Sequence, residues 1–122
     1  MSSKLPAINI ARLRQRLDAL GRIGATPEGG VRRLAATPED GAGRDLVCQW
    51  MRALGMNVTV DRIGNIFATR QGREDLPPVM TGSHIDTVGN GGLLDGCYGV
   101  LAGLEIIECL NEQNIETRHP LC

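Results

Sequence analysis

The sequence has few aromatic residues, almost no excess charge and no long apolar run. Aromatic side chains make up only 2% of its 122 residues, so the core must be built mainly from aliphatic side chains. The 13 lysines and arginines are balanced by 14 aspartates and glutamates and are scattered along the chain. Because a basic patch and aromatic stacking platforms are both lacking, we expect no nucleic-acid partner. Because no apolar run is long enough to cross a bilayer, we expect no membrane partner either.

The four cysteines include no C-x-x-C pair, and the first residues include no apolar signal-peptide segment. The first absence argues against a structural zinc ribbon or a thioredoxin-type site. An even number of cysteines is compatible with disulfides. Without a secretion signal, however, we expect reduced, buried thiols in a cytoplasmic protein.

Apolar residues at helical spacing predict three helices. The first is expected from about Pro6 to Leu20. The second is expected to start where Thr37 can act as the cap and Pro38 as the first helical residue, and to end at Gly55. The third is expected from about Cys97 to Asn111.

Three short segments are expected to be strands. Met56 to Asp61 and Asn65 to Arg70 are predicted to form a hairpin, because a polar, glycine-containing link joins them. The apolar run Pro78 to Thr81 is predicted to be a buried strand. Helices before and after these strands predict an α/β layered fold with a mixed sheet. The tail from Ile115 to Cys122 is expected to lead towards another strand, which is an indication that the chain is truncated.

The chemistry is expected in the glycine-rich loop from Gly82 to Gly96, directly after the third strand. His84 follows a strand end, where functional groups gather in α/β sheets, and imidazole is a common metal ligand. Asp86, two residues on, would point to the same side and could accept the other ring N–H of His84. Asp95, flanked by glycines, offers a carboxylate that could bridge two divalent ions about 3.5–4 Å apart. The combination favours a metal site.

Two other interpretations of this loop were open from the residues alone. A hydrogen-bonded surface pair of His84 and Asp86 would need no metal. A phosphate-binding loop would also lie between a strand and a helix, but this loop has neither a G-K-[ST] ending nor a G-x-G-x-x-G opening, so that interpretation is disfavoured.

The wider pattern adds specificity, because matching segments extend over nearly the whole chain. They are residues 24–34, Asp45, Trp50-Met51, 61–66, 82–88, 90–92, Asp95-Gly96 and 99–105. This pattern resembles the N-carbamoyl-L-amino-acid hydrolase family, which includes allantoate amidohydrolases and β-ureidopropionases within the zinc-dependent aminoacylase and carboxypeptidase superfamily. The resemblance implies the N-terminal portion of a three-layer αβα dinuclear-metal hydrolase catalytic domain. The rest of that domain and a dimerisation or lid domain would lie outside residues 1–122, and the full-length form would be a homodimer.

The resemblance also implies roles for individual residues. His84 would be the terminal ligand of one metal ion, and Asp95 would bridge both ions. Asp86 would be the catalytic-site residue that orients His84. The two ions would be zinc, or manganese, nickel or cobalt in some members. A cis peptide bond would follow Asp95.

The implied reaction is hydrolysis of the carbamoyl or ureido C–N bond of a small N-carbamoyl-L-amino acid or related ureido acid. In the family, a glutamate acts as the general base, and this residue and two further histidine ligands belong to segments that the chain does not contain. Glu105 and Glu108 are expected on a solvated or capping-side face, and His119 at a surface turn, so none is expected to bind metal. With one histidine and one aspartate as ligands, we expect weak metal binding and no activity from the chain alone.

Two alternatives remain at this point. The first is an aminoacylase or peptidase of the same superfamily, which would use the same metal site on a different amide. The second is a small α/β binding module that keeps the loop only as a scaffold and has no dependence on metal.

Overall fold

The computed structural model describes residues 5–122 as three helices and one two-stranded sheet. The helices are α1 (Ile10–Gly21), α2 (Pro38–Ala53) and α3 (Cys97–Glu112), and the strands are β1 (Asn57–Val60) and β2 (Ile66–Thr69). Both strands lie between α2 and α3 in the sequence, which confirms the predicted α/β class.

Helix α1 begins at Ile10, later than the predicted start near Pro6. Asn9 is extended, with φ −86° and ψ 94°, and its side-chain oxygen accepts a hydrogen bond from the backbone N–H of Arg12 at 3.0 Å. This cap satisfies one of the N–H groups left free at a helix start, so the helix begins after Asn9.

Helix α2 confirms its predicted start. The Thr37 hydroxyl oxygen accepts a hydrogen bond from the backbone N–H of Asp40 at 3.3 Å, and Pro38 is the first helical residue. Glu39 and Asp40 add negative charge to the first turn, where the helix dipole favours it. Gly55 follows the end of the helix with φ +80°, a conformation that glycine adopts at little cost.

The predicted hairpin is also confirmed. Strands β1 and β2 pair antiparallel, with Val60 opposite Ile66 next to the turn. The Asp61 carboxylate accepts hydrogen bonds from the side-chain amide and the backbone N–H of Asn65, both at 2.8 Å. These bonds, the side-chain one above all, hold the pKa of Asp61 below its ordinary value. The turn is therefore closed by its own side chains.

The last residues of the chain extend this sheet. Arg70, just after β2, exchanges two backbone hydrogen bonds with Leu121, at 2.8 and 2.9 Å in antiparallel sense. Leu121 also forms a parallel bridge with Val79. The segments around Leu121 and Val79 therefore continue the hairpin in a mixed arrangement, as predicted.

Pro78 to Thr81 is not the buried strand that we predicted. It is held through the bridge at Val79 and a hydrogen bond from the Thr81 N–H to the Cys122 carbonyl. The side chains of Val79 and Met80 are 59% and 58% exposed, because no other part of residues 5–122 covers that face. An apolar run indicates that a segment can be buried, but the covering layer must come from elsewhere.

The core is aliphatic, as the composition predicts. It consists of Leu13, Leu17, Leu20, Val47, Met56, Ala68, Cys97, Leu101, Leu104 and Ile107. Trp50 is half-buried against this core. All four cysteines are unpaired in the structure, three of them buried and Cys122 half-buried. Within residues 5–122, no helix has the length and apolar character needed to cross a membrane.

A buried carboxylate joins α1 to α3. The side chain of Glu105 is fully buried and accepts hydrogen bonds from Arg12 Nη2 at 2.7 Å and Nε at 2.8 Å. The backbone N–H of Asn9 adds a third at 3.0 Å. Arg16 Nη1 lies 3.6 Å from Glu105, and Arg16 also pairs with the half-buried Glu108. The expectation that Glu105 and Glu108 lie on a solvated face is therefore wrong, because the arginines of α1 face and neutralise them.

Replacing Glu105 with Gln is expected to lower the free energy of unfolding at neutral pH by about 2 kcal/mol, since charge-assisted hydrogen bonds are weakened. The bonds from Arg12 hold the pKa of Glu105 below its ordinary value of 4.5. Because the folded pKa is the lower one, the stabilisation is present above the ordinary pKa and is lost as the pH falls through the folded pKa. Urea unfolding at a series of pH values should show the difference between wild type and Glu105→Gln shrinking below pH 4.5.

Glu112→Gln is the matched control, because Glu112 also pairs with Arg12 but its side chain is 55% exposed. Loss of an exposed ion pair is expected to cost about 0–1 kcal/mol. Equal losses in the two variants, or a Glu105→Gln effect that does not change with pH, would contradict the role given to Glu105.

Candidate functional site

The loop from Gly82 to Gly96 is held by backbone pairing with the segment that follows α1. Val31 and Gly91 exchange backbone hydrogen bonds at 2.8 and 2.9 Å. The Thr87 N–H donates to the Arg33 carbonyl at 2.7 Å, and the Arg33 N–H donates to the Thr87 hydroxyl oxygen at 2.8 Å. These bonds hold the loop on the side that faces residues 31–33, and its opposite side is open to solvent.

The three predicted site residues lie together on this loop. His84 Nδ1 lies 3.1 Å from Asp86 Oδ1 and 3.1 Å from the backbone carbonyl oxygen of Asp86. His84 Nε2 lies 3.8 Å from Asp95 Oδ2. The three side chains are 51%, 42% and 77% exposed, in the order His84, Asp86, Asp95. One imidazole therefore lies between two carboxylates and is accessible to solvent.

The two ring nitrogens of His84 have different surroundings. Both acceptors beside Nδ1 belong to Asp86, so the neutral tautomer that fits these contacts carries its proton on Nδ1. The lone pair of Nε2 is then free, and the 3.8 Å to Asp95 Oδ2 is too long for a hydrogen bond. That distance is less than the sum of a Zn–N and a Zn–O bond, roughly 4.1 Å, so one divalent ion can contact both atoms, at a wider angle than a tetrahedral site has.

Gly96 makes the close approach of His84 possible. A Cβ atom at this position would lie 2.5 Å from Nδ1 and Cε1 of the ring. The residue also has φ +69°, and this left-handed conformation turns the chain into α3. The implied cis peptide bond after Asp95 is wrong for this structure, since none of the peptide bonds in residues 5–122 is cis and the turn is made by the φ of Gly96.

The other titratable residues considered from the sequence lie elsewhere. Glu105 and Glu108 belong to the ion pairs between α1 and α3, and His119 Nδ1 lies 2.8 Å from the carbonyl oxygen of Pro77. In the described part of the chain, no group of three or more His, Cys, Asp or Glu side chains is placed to hold a metal ion. His84 and Asp95 are thus two candidate ligands, fewer than the three or four of known zinc sites.

An open groove borders His84 and Asp86. It has a volume of about 710 Å³ and runs between the hairpin, α2 and α3. Its walls are mostly aliphatic, with Val47, Met51 and Leu104 among the lining side chains. The imidazole therefore lies beside a concave apolar surface of the size that small ligands occupy.

A buried arginine lies beneath the loop. The side chain of Arg33 is 1% exposed. Its guanidinium donates to the carbonyl oxygens of Ile85, Leu20 and Ile23, at 2.9, 2.9 and 2.7 Å, and to Cys97 Sγ at 3.2 Å. Burial raises the pKa of the Cys97 thiol, and the nearby Arg33 charge only partly opposes this shift.

Neither Arg33 nor Thr87 was identified as important from the sequence. One signal is present in the sequence: in an extended segment Val31 and Arg33 lie on the same side, and the structure shows both buried. A charged residue on the apolar side of such a segment indicates a buried, hydrogen-bonded cation. The buried hydroxyl of Thr87 gave no comparable signal.

The chain is similar over most of its length to curated amidohydrolases. It is 45% identical over 119 residues to an N-carbamoyl-L-amino-acid amidohydrolase of Pseudomonas sp. (strain NS671), which covers 97% of this chain and 29% of the relative. It is 40% identical over 97 residues to the allantoate amidohydrolase of Bacillus subtilis (strain 168), which covers 79% of this chain and 24% of the relative. The chain therefore spans less than a third of the length of these relatives. No protein-family model matches the sequence.

A solved structure gives the same result. The crystal structure of a hydantoinase/carbamoylase family amidase from Burkholderia ambifaria matches this chain with a TM-score of 0.94 and 54% sequence identity. The match covers 96% of this chain and 29% of the amidase. The fold described above is therefore that of one part of such an amidase.

Replacing Gly96 with Ala is expected to lower the free energy of unfolding by about 1–2 kcal/mol, because a residue with a Cβ is strained in the left-handed conformation. The new Cβ would also lie 2.5 Å from the His84 ring and from the His84 carbonyl oxygen, so the ring and the backbone that carries it must move. Urea unfolding measures the first effect, and the ¹⁵N NMR signals of the His84 ring measure the second. His119, the other of the two histidines, serves as the internal reference.

Gly92→Ala is the control for this substitution, because a Cβ at Gly92 would meet nothing within 4 Å and its φ is not positive. We expect a change in stability within about 0.5 kcal/mol for this variant. If Gly96→Ala left both the stability and the His84 signals unchanged, the close packing of the ring on Gly96 would be wrong.

Proposed function

Because the chain is homologous over nearly its whole length to part of the hydantoinase/carbamoylase family amidases, we propose that it supplies part of the metal site of an enzyme that hydrolyses a carbamoyl or ureido C–N bond. The expected substrates are N-carbamoyl-L-amino acids or related ureido acids. The observation that carries the proposal is the imidazole of His84 between the carboxylates of Asp86 and Asp95. This arrangement provides imidazole and carboxylate groups that can bind metal, which is the chemistry that the homology implies.

In this proposal, Nε2 of His84 would be a ligand of one metal ion, and the carboxylate of Asp95 would be a ligand shared by two ions. Zinc is the expected metal, and manganese, nickel or cobalt are compatible with the same imidazole and carboxylate donors. When bound, the metal ions would supply a water of lowered pKa as the nucleophile near neutral pH.

The remaining local residues would prepare His84 for this role. Asp86 would keep the proton on Nδ1 and hold the plane of the ring, so that Nε2 presents its lone pair in a constant direction. Gly96 leaves the space that the ring occupies. The exposure of all three polar side chains lets a substrate approach from the open side.

The general base is proposed to come from elsewhere in the polypeptide. Among residues 5–122, no glutamate takes part in a group of three or more side chains placed to hold a metal ion. Glu105 is occupied by Arg12 and the Asn9 backbone. We therefore propose that the base, the other ligands and the groups that bind the substrate lie outside residues 1–122.

On this basis, residues 1–122 would form the N-terminal part of a catalytic domain, in an enzyme that acts as a homodimer in the cytoplasm. The small share of the relatives that the chain spans supports the first point. The four free cysteines support a reducing compartment.

A chimera in which this chain replaces the matching part of the Pseudomonas relative is expected to hydrolyse N-carbamoyl-L-amino acids in the presence of Zn²⁺ or Mn²⁺. Changing His84→Ala or Asp95→Asn in the chimera should lower kcat/KM on the order of 10³-fold, because metal stabilisation worth several kcal/mol is lost. The measurement is release of the free amino acid from N-carbamoyl and N-acetyl substrates in parallel.

His119→Gln in the same chimera is the control, since this histidine contacts the Pro77 carbonyl and is distant from the site in the sequence. It should leave kcat/KM unchanged. A folded chimera that works without His84 would refute its role as a ligand. Faster turnover of N-acetyl than of N-carbamoyl substrates would instead favour an aminoacylase.

The isolated 122-residue chain is expected to bind Zn²⁺ weakly and to be inactive, because two protein ligands are fewer than a catalytic zinc site needs. Metal analysis after gel filtration and the same amino-acid release assay test this directly. Tight, stoichiometric zinc together with turnover by the isolated chain would contradict the proposal that the site is completed by other polypeptide.

A further inference from the structure

We propose that Arg33 is a positioning residue that sets the separation of His84 and Asp95. The inference rests on the proposed function, because it takes these two residues as metal ligands. The side chain of Arg33 forms no hydrogen bond with His84 or Asp95. It contacts the backbone carbonyl of Ile85, next to His84, and the thiol of Cys97, two residues after Asp95.

The contacts of the guanidinium reach both halves of the loop. Arg33 Nε donates to the carbonyl oxygen of Ile85 at 2.9 Å, and Ile85 lies between His84 and Asp86 in the sequence. Arg33 Nη2 contacts Cys97 Sγ at 3.2 Å, and Cys97 follows Asp95 by two residues. Because a guanidinium is planar and its N–H groups have fixed directions, these two bonds tie both segments to one rigid group.

The same group is anchored to the scaffold on its other side. Arg33 Nη1 donates to the carbonyl oxygens of Leu20 and Ile23, at 2.9 and 2.7 Å, at the C-terminal end of α1. This is the negative end of the helix dipole, which favours a cation. Arg33 thereby connects the loop to α1, and the ion pair of Arg12 with Glu105 connects α1 to α3.

The chemistry of these acceptors favours a positioning role over a purely structural one. They are three carbonyl oxygens and one sulfur, so the buried charge is balanced by dipoles. An aliphatic side chain would fill the space without the desolvation cost of a cation. What it could not do is connect Ile85 with Cys97.

The fold also reserves space for this side chain. Gly43 in α2 faces Arg33, and a Cβ at Gly43 would lie 2.9 Å from Arg33 Cδ and 3.3 Å from Nε. Gly41 in the same helix has nothing within 4 Å of its Cβ position. An added methyl group at residue 43, but not at residue 41, must therefore displace the guanidinium.

The test compares Gly43→Ala with Gly41→Ala in the 122-residue chain. The readouts are the ¹⁵N signals of the His84 ring at about pH 8, where an ordinary imidazole is neutral, and the Kd for Zn²⁺ obtained from their shifts on titration. In Gly43→Ala we expect altered His84 signals and Zn²⁺ binding weaker by about 10-fold, as for loss of other supports of metal ligands. Gly41→Ala should match wild type in both, although it adds the same methyl group.

Arg33→Lys is the direct variant, because it keeps the charge but not the planar fork. If it folds by circular dichroism, it should shift the His84 signals as Gly43→Ala does; if it does not fold, Gly43→Ala decides. A folded Gly43→Ala with the His84 signals and Kd of Gly41→Ala would overturn the proposal. If Zn²⁺ leaves the wild-type His84 signals of the isolated chain unmoved, two ligands do not suffice for binding, and kcat/KM of the His84→Ala chimera decides the metal-site function. The His84 signals of the variants without metal then decide the role of Arg33.

Discussion

A buried guanidinium must find acceptors for its N–H groups, and around Arg33 this requirement decides how three parts of the chain meet. The end of α1 contributes carbonyl oxygens, the site loop contributes the carbonyl of Ile85, and the start of α3 contributes the sulfur of Cys97. The backbone of Arg33 pairs with Thr87 at the same time. If any of these segments moved by an ångström, a buried donor would lose its partner at a cost of about 1–3 kcal/mol. The exposed polar groups of the loop therefore rest on a buried, hydrogen-bonded layer.

Helix α1 holds this layer in register with the rest of the molecule. Its first turn carries Arg12, whose two-point contact with Glu105 connects it to α3. Its last turn offers the carbonyl oxygen of Leu20 to Arg33. The helix is thus held at both ends by guanidinium groups, one belonging to it and one approaching it. Arg12, which pairs with the Glu105 carboxylate, joins α1 to α3. Arg33, which donates to carbonyl oxygens, joins α1 to the site loop.

The features that sequence predicted well depend on neighbours close along the chain, and those it missed depend on distant ones. The cap formed by Thr37 needs only the next turn of its own helix, and the grouping of His84 with an aspartate two residues on follows from spacing. The burial of Glu105 depends on an arginine 93 residues away, and that of Arg33 on a carbonyl 52 residues away. A pattern of neighbouring residues in the sequence carries no information on contacts across such long separations. The exposure of Val79 was missed for a related reason, because a strand is buried only where another layer covers it.

The scarcity of aromatic residues has a practical consequence through Trp50, the only tryptophan in the chain. The guanidinium of Arg16 lies over its indole ring, 5.9 Å from the centroid, so the ring senses the contact between α1 and α2. The tryptophan fluorescence of this protein will therefore follow the separation of those two helices. The loop that carries His84 holds no fluorophore and will be dark in such an experiment. A tryptophan fluorescence melting curve therefore reports the packing of α1 on α2. The state of the candidate site has to be followed through the NMR signals of the His84 ring.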